Sequence, residues 1–301
     1  MSDRPCPSGG PSARLREELR GRLEASGLAG AVSARREKSL LRYRMFADRD
    51  PRVLLGLEPE GEWTSAELLR LMAEKCGVSA DPGCTTGRET IDPDRTLAAL
   101  DRFADRLGRA AERREPVLFG TGHPGNLLPF YRGLAAALSA AGCPVLAPVR
   151  RGHIDLPTRF GVRPHHVGHT GRVAVVRSGP GETGETGGTR GPEDPEGPED
   201  PGGGAGEVHT HSPLPVRAVL DAAAGTGGLL PELVVGDHGW VCGAGQLGLD
   251  AVGLADADDP AVFVAEEEGR VLVAVPLDDG VRAPYYRPLT RYVLNRACLS
   301  W

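Results

Sequence analysis

Hydrophobic positions along the chain fall into two textures. In the first, apolar residues recur every three or four positions. Leu15, Leu19 and Leu23 do so within 13–28, and Leu97, Leu100, Phe103, Ala104 and Leu107 within 94–112. That spacing lays the side chains on one face of a helix. Segments 33–47 and 65–77 read the same way, with Ser65 suited to an N-cap and Gly77 to a stop. The first 115 residues therefore predict a mostly helical region.

The second texture starts at Val117. Short apolar runs at 117–119, 144–147, 173–176, 233–235, 251–255 and 271–275 predict strands, with a further short strand at EVHTHS. Consecutive apolar positions suit a strand buried on both faces. Between them, 127–141, 215–224, 244–249, 260–268 and 287–298 predict helices. Strands alternating with helices give an α/β fold: a doubly wound, mostly parallel sheet with an N-terminal helical region. Ligands of such sheets sit beyond the strand C-termini.

Two segments stand outside both textures. Residues 1–12 are rich in Pro, Ser and Gly and predict a disordered N-terminus. Residues 178–206 nearly repeat the unit GPEDPEGPEDPG and offer no apolar anchor, so a disordered acidic insertion is expected. The organisation read from the chain is thus 1–12, a helical region 13–115 packed on or capping the sheet, and an α/β domain 116–301 that carries the insertion.

Charge changes the reading once the insertion is set aside. Ser178 to Glu207 holds eight acids against one base, a net −7, while the whole chain carries −6. The remainder stands at +1 and gives no electrostatic argument for nucleic acid or for a membrane surface. Lysine occurs only at 38 and 75, isoleucine only at 91 and 154, and asparagine only at 126 and 295, whereas arginine and alanine abound. That bias marks a GC-rich coding genome, so the arginines are no nucleic-acid signal. No apolar run reaches the roughly 18 residues of a membrane span. The start lacks the apolar core of a secretory signal. A cytoplasmic protein is expected. Its six scattered cysteines, without a CxxC pair, are expected reduced and mostly packed. Nothing in the sequence sets the oligomeric state.

Candidate chemistry gathers at five strand ends: TGHPGN (121–126), HTHS (209–212), DHGW (237–240), DADDP (256–260) and LDD (277–279). In a parallel sheet these would meet along one edge. The glycine-rich turn TGHPGN leads a strand into a helix, where backbone amides and the helix dipole favour a phosphate. Thr121, Gly122, Gly125 and Asn126 are the candidate phosphate-binding residues. His123 is a candidate contact, proton donor or metal ligand. The bland alternative is a capped helix with an exposed histidine.

His209 and His211 are two residues apart, so on a strand their rings share a face and suit one metal ion. A pair of surface histidines after a loop reads equally well. Asp237 and His238 are a candidate metal ligand and acid–base pair. The alternative makes Asp237 a cap and Trp240 core. Asp256, nearest its strand, is the favoured carboxylate for a divalent cation such as Mg2+. One or two of Asp256, Asp258, Asp259, Asp278 and Asp279 would hold such an ion, and the rest read as caps and solvated turns, with Asp259 before Pro260 as an N-cap. His165, His166 and His169 read as a solvated loop. Arg35, Arg36, Glu37 and Lys38 read as an exposed helix face.

In this order, TGHPGN, HTHS, DHGW, DADDP and VPLDD resemble a group of actinobacterial proteins described as phosphatases. The resemblance extends to YRMFADRDPRVLLGLE near the start and ETIDP at 89–93, and it skips the acidic insertion. The group carries a cysteine and an asparagine where this chain has Ala257 and Asp258, and TPREN where it has Ser33, Ala34, Arg35, Arg36 and Glu37. The resemblance implies phosphate-ester hydrolysis and assigns no residue.

The leading expectation is metal-assisted hydrolysis of a small-molecule phosphate ester, with His123, His238 and Asp237 catalytic and His209, His211, Asp237 and Asp256 on the metal. Direct attack by His123 is a second option. A module that binds or isomerises a sugar phosphate or nucleotide is a third.

Overall fold

The computed structural model describes residues 13–148, 152–158, 161–178, 206–225 and 227–300. The expected disordered N-terminus, 1–12, lies outside the described residues, as do 179–205 of the expected insertion.

The elements in chain order are α1 (Ala13–Ser26), β1 (Gly30–Arg35), α2 (Arg36–Ala47), α3 (Ser65–Cys76), β2 (Arg88–Ile91), α4 (Pro93–Arg113), β3 (Val117–Gly120), α5 (Pro124–Ala140), β4 (Val145–Leu146), β5 (Ile154–Thr158), β6 (Gly161–Thr170), β7 (Val173–Ser178), β8 (Glu207–Val208), α6 (Leu214–Gly225), β9 (Leu233–Asp237), α7 (His238–Gln246), β10 (Asp250–Ala255), α8 (Pro260–Glu267), β11 (Val273–Pro276) and α9 (Arg287–Arg296), with a 3₁₀ turn at Ala283–Tyr286 before α9. The α/β fold and its N-terminal helical region are as the hydrophobic pattern predicts.

The main sheet runs β11-β10-β9-β3-β7-β6-β5. From β11 to β7 neighbouring strands are parallel. β5, β6 and β7 pair antiparallel. Every residue of β3, β9 and β11 is buried, so helices cover both faces. One helical group joins α1, α4, α5 and α9, and another joins α2, α3, α6, α7 and α8.

Local signals account for several boundaries. α3 opens on a capping box of Thr64 and Glu67, one residue ahead of the expected Ser65, and stops at Gly77 with φ +82°. α4 starts with Asp92 accepting from the amide of Asp94 and with Pro93 in the first turn.

Elsewhere tertiary context overrides the pattern. Residues 30–35 form β1, which pairs antiparallel with β2, so the helix expected from 33 begins at Arg36. The helix expected at 244–249 is α7 and starts at His238. The histidines at 165–169 lie on β6 rather than in a loop. Cys76, Cys143 and Cys242 are buried free thiols and Cys84 is an exposed one. Cys298 is disulfide-bonded, contrary to the expectation of reduced cysteines.

Candidate active site

Register brings the strand ends level. Phe119 faces Val235, Asp237 faces Leu254, and Ala255 faces Pro276. The polar residues that follow these positions therefore leave the sheet side by side. β8 adds the fifth segment. It pairs antiparallel with the far end of β7, at Val176 and Arg177, while β3 pairs with the near end at Val173 and Ala174. β8 thus sits beyond the end of β3 and runs back toward it, which carries His209, Thr210 and His211 onto the TGHPG turn. The amide of Thr210 donates to the carbonyl of Gly122 at 3.0 Å. A Cβ at Gly122 would lie 2.1 Å from the Thr210 oxygen, and one at Gly239 would lie 2.5 Å from the His211 oxygen. Both positions admit only hydrogen because the histidine segment is wedged between them.

Four imidazoles meet there. Ring centroids are 4.1 Å apart for His123–His209, 4.4 Å for His123–His238, 4.8 Å for His209–His211 and 4.1 Å for the stacked pair His211–His238. Carboxylates flank them. His238 Nδ1 lies 2.9 Å from Asp259 Oδ2, and its Nε2 lies 3.0 Å from Asp279 Oδ2. His123 Nε2 lies 3.7 Å from Asp279 Oδ1. These are close approaches without hydrogen-bond alignment. His123 Nδ1, both ring nitrogens of His211, both of His238 and Asp279 Oδ2 are buried with no hydrogen-bond partner.

The donor atoms fall into four overlapping groups: His123, His209 and His211; His123, His238 and Asp279; His211, His238 and Asp259; and Asp256, Asp278 and Asp279. Within each group the ligand atoms lie within 4.8 Å of one another. Converging imidazole nitrogens and carboxylate oxygens that lack proton partners are the donor set of a divalent metal.

The electrostatics follow from burial and crowding. Burial, and then the charge of His238, hold His123 well below the usual histidine pKa. His211 is lowered likewise, by burial and then by His238 and His209. A neutral ring offers its lone pair to a metal. Burial works against a charged His238, but Asp259 and Asp279 outweigh it and raise the ring well above its ordinary value. Burial would raise Asp259, yet Arg42 and His238 keep it well below the carboxylate range. Asp256 is pushed well up by burial and by the neighbouring charges of Asp258, Asp278 and Asp279.

The carboxylate of Asp237 does not face the cluster. It accepts from the Thr121 hydroxyl and from the Gly122 amide, both at 2.6 Å, and burial raises its pKa to about 6. It belongs to none of the ligand groups among the described residues. Expected as a metal ligand, Asp237 has its oxygens on the turn that carries His123. The expected phosphate cradle changes as well. Thr121 and the Gly122 amide are engaged with Asp237, and Asn126 is buried with its side-chain amide donating to the Asp279 carbonyl at 3.1 Å. Gly125 sits inside α5. The backbone of His238 has φ +43°, a left-handed conformation that costs a non-glycine residue about 1–3 kcal/mol.

The contacts that sequence reading missed join the acidic loops to α2. Asp259 stands at the N-cap position of α8 but caps nothing; its carboxylate turns to Arg42 and His238. Arg42 also donates from Nε to the carbonyl of Asp258 at 2.8 Å, and the Tyr43 hydroxyl donates to the carbonyl of Ala257 at 2.6 Å. Lys38 Nζ lies 3.0 Å from Asp258 Oδ2. The Ser33 amide donates to Asp278 Oδ2 at 2.7 Å. Arg36 is buried against Glu89 at 3.1 Å, so the expected exposed face of α2 is in part a core face.

The family model described as Phosphatase matches residues 14–301. The chain belongs to that family. Phosphatase SCO2771 of Streptomyces coelicolor (strain ATCC BAA-471 / A3(2) / M145) is 40% identical over 292 residues, which covers 96% of this chain and 99% of that one. The five motif-bearing strand ends that build the cluster all lie within the matched span. Among the described residues of this family member, no helix is long and apolar enough to cross a membrane.

Proposed function

We propose that this phosphatase hydrolyses a small-molecule phosphomonoester with the help of a divalent metal held at the C-terminal rim of the parallel strands. The observation that carries the proposal is the set of buried ring nitrogens on His123 and His211 that have no proton partner and converge in three-donor groups. The donor set fits: His123, His209 and His211 would hold the metal, with Asp279, which shares a donor group with His123, as a further oxygen ligand. Imidazole-rich ligation suits a borderline metal such as Zn2+ better than Mg2+. When bound, such an ion supplies Lewis acidity to a phosphoryl oxygen and lowers the pKa of an attacking water.

The chain's own residues do the rest. Asp237 fixes the Thr121–Gly122 turn and through it the ring of His123. Asp259 and Asp279 flank His238 and orient its ring. We assign His238 as the group that passes a proton to the leaving oxygen, since both of its ring nitrogens sit at 2.9–3.0 Å from carboxylates that stabilise the charged ring. Lys38, a third exposed beside Asp258, places a cation at the edge of the cluster where a phosphate dianion would enter.

The test is turnover of p-nitrophenyl phosphate and of a panel of sugar and nucleotide phosphates, with chelator and with metals added back. The expected result is hydrolysis that EDTA abolishes and one or more metals restore. No turnover with any metal sinks the proposal, and ligand-induced thermal stabilisation without turnover would mark a binding module instead.

A further inference from the structure

We infer that the cluster holds a second cation, at an all-oxygen position built by Asp256, Asp278 and Asp279, distinct from the histidine-rich position and sharing Asp279 with it. The inference rests on the metal-assisted reading above, and it names the composition of that same site.

Three observations combine. First, one oxygen from each of the three carboxylates lies within 4.8 Å of the others, and none of the three residues is more than 7% exposed. Carboxylates so crowded and so dry repel one another unless a proton or a cation lies between them. Second, among the described residues no Lys or Arg side chain pairs with any of the three, and the charged ring of His238 approaches Asp279 alone, leaving Asp256 and Asp278 without a cation. Arg42 and Lys38 go to Asp258 and Asp259 instead. Asp256 Oδ1 accepts from the Ala257 amide at 2.6 Å, and Asp278 accepts from the amides of Ser33 at 2.7 Å and Gly280 at 2.9 Å. Those amide bonds fix where the carboxylates point without supplying a full charge. Third, Asp279 Oδ2 is buried and has no aligned hydrogen-bond donor, although it lies 3.0 Å from His238 Nε2. That orphaned oxygen belongs to the residue that also approaches His123, at 3.7 Å.

Asp279 is therefore the hinge between two donor environments. On one side the donors are imidazole nitrogens, which select borderline transition metals. On the other they are oxygens only, which select Mg2+, Ca2+ or Mn2+. The structure thus assigns two different classes of cation to one rim. The second cation would balance the carboxylates and face the same substrate phosphate.

The experiment counts metals and does not depend on turnover. The full chain is stripped with chelator and given one equivalent of Zn2+. It is then titrated with Mn2+, with free ion read by electron paramagnetic resonance and bound metals by mass spectrometry. One equivalent of Mn2+ should bind while Zn2+ stays. Asp256→Asn should weaken Mn2+ binding by more than about 100-fold and leave Zn2+ in place, since loss of mere outer-shell partners already costs about 10–100-fold. Asp258→Asn, which removes a neighbouring carboxylate outside the group, should keep both metals. Retained Zn2+ shows that each variant is folded. A Zn2+-loaded wild type that takes up no Mn2+ overturns the inference, and so does Asp256→Asn binding Mn2+ like wild type. If Asp256→Asn loses Zn2+ as well, the wild-type count decides. A two-metal protein that hydrolyses no phosphate ester would keep this inference and sink the hydrolytic one.

Discussion

Two groups of histidines in this chain meet opposite fates. His165, His166 and His169 sit on β6, in the antiparallel arm of the sheet. His209 and His211 follow β8, next to the parallel half. In sequence the first group is the denser, three histidines within five residues against two within three. Yet among the described residues no ligand group includes a β6 histidine. His165 Nδ1 lies 3.0 Å from the carbonyl of Arg163, and His166 Nδ1 lies 3.0 Å from that of Gly152. On an antiparallel hairpin, neighbouring rings alternate faces and find local carbonyls. Beyond β3, β9, β10 and β11, by contrast, separate chain segments end on one rim and must share one space. Convergence of strand ends, rather than histidine density, builds the cluster.

The sharpest way to break this comparison is to delete a ring on each side. His123→Ala or His211→Ala should lower metal affinity and turnover by more than about 100-fold, because even second-layer partners cost 10–100-fold. Metal content and initial rates on p-nitrophenyl phosphate read both. Equal losses from His165→Ala would show that the antiparallel arm belongs to the site.

The support of the two regions differs in kind as well. Arg42 reaches from α2 to Asp259, and both side chains are buried. Arg42→Ala should cost about 3–5 kcal/mol of stability, since it leaves a buried carboxylate short of its partner. Chemical denaturation measures this. Bound metal should fall with it, because Asp259 loses its orientation. A loss below about 1 kcal/mol would mean that His238 alone secures Asp259.

Glycines give a gentler contrast. At Gly122 a methyl group would meet the Thr210 carbonyl at 2.1 Å. Gly122→Ala should cost about 1–3 kcal/mol through overpacking and should weaken the metal by displacing His209 and His211. At Gly161, the first residue of β6, φ is +92° but the space is open. Gly161→Ala should cost about 1 kcal/mol through backbone strain and leave the metal untouched. Thermal melts with and without metal separate the two. Similar metal affinity in both variants would remove the close approach at Gly122 from the account.

The same comparison explains what could be read in advance. The parallel strands were legible because burial on both faces writes them as unbroken apolar runs, and their polar ends then mark the rim. β6 was not. Its burial is confined to a few positions, and ten residues rich in His and Gly carry no period-two apolar signal. α2 misled for a related reason. Its buried residues include Arg36, Ser39 and Arg42, so a face that packs looks solvated. Arg42 meets Asp259 across 217 residues of chain, which no local pattern encodes. Asp259 illustrates the limit most clearly. Its N-cap position was plain from Pro260, but a side chain can leave the helix end once a buried arginine and imidazole compete for it. Asp237 shows the converse. A strand-end aspartate beside a histidine suggests a ligand, and only the register with Thr121 shows that its oxygens are taken.

The smallest expected effect carries a test of its own. His166 is half-buried, and its Nδ1 lies 3.0 Å from the Gly152 carbonyl. Losing a single such hydrogen bond at a partly wet site costs about 0.5–1.5 kcal/mol. His166→Ala should therefore lower the melting temperature slightly and leave metal content and turnover within about twofold, a change below ~0.5 kcal/mol by the usual conversion. The antiparallel arm then acts only as scaffold, flanking β7 so that β8 can pair with its far end. A drop in metal content without a drop in stability would say otherwise. It would mean that β6 senses the cluster through β7 and β8, and that the division between a chemical half and a structural half of the sheet is drawn in the wrong place.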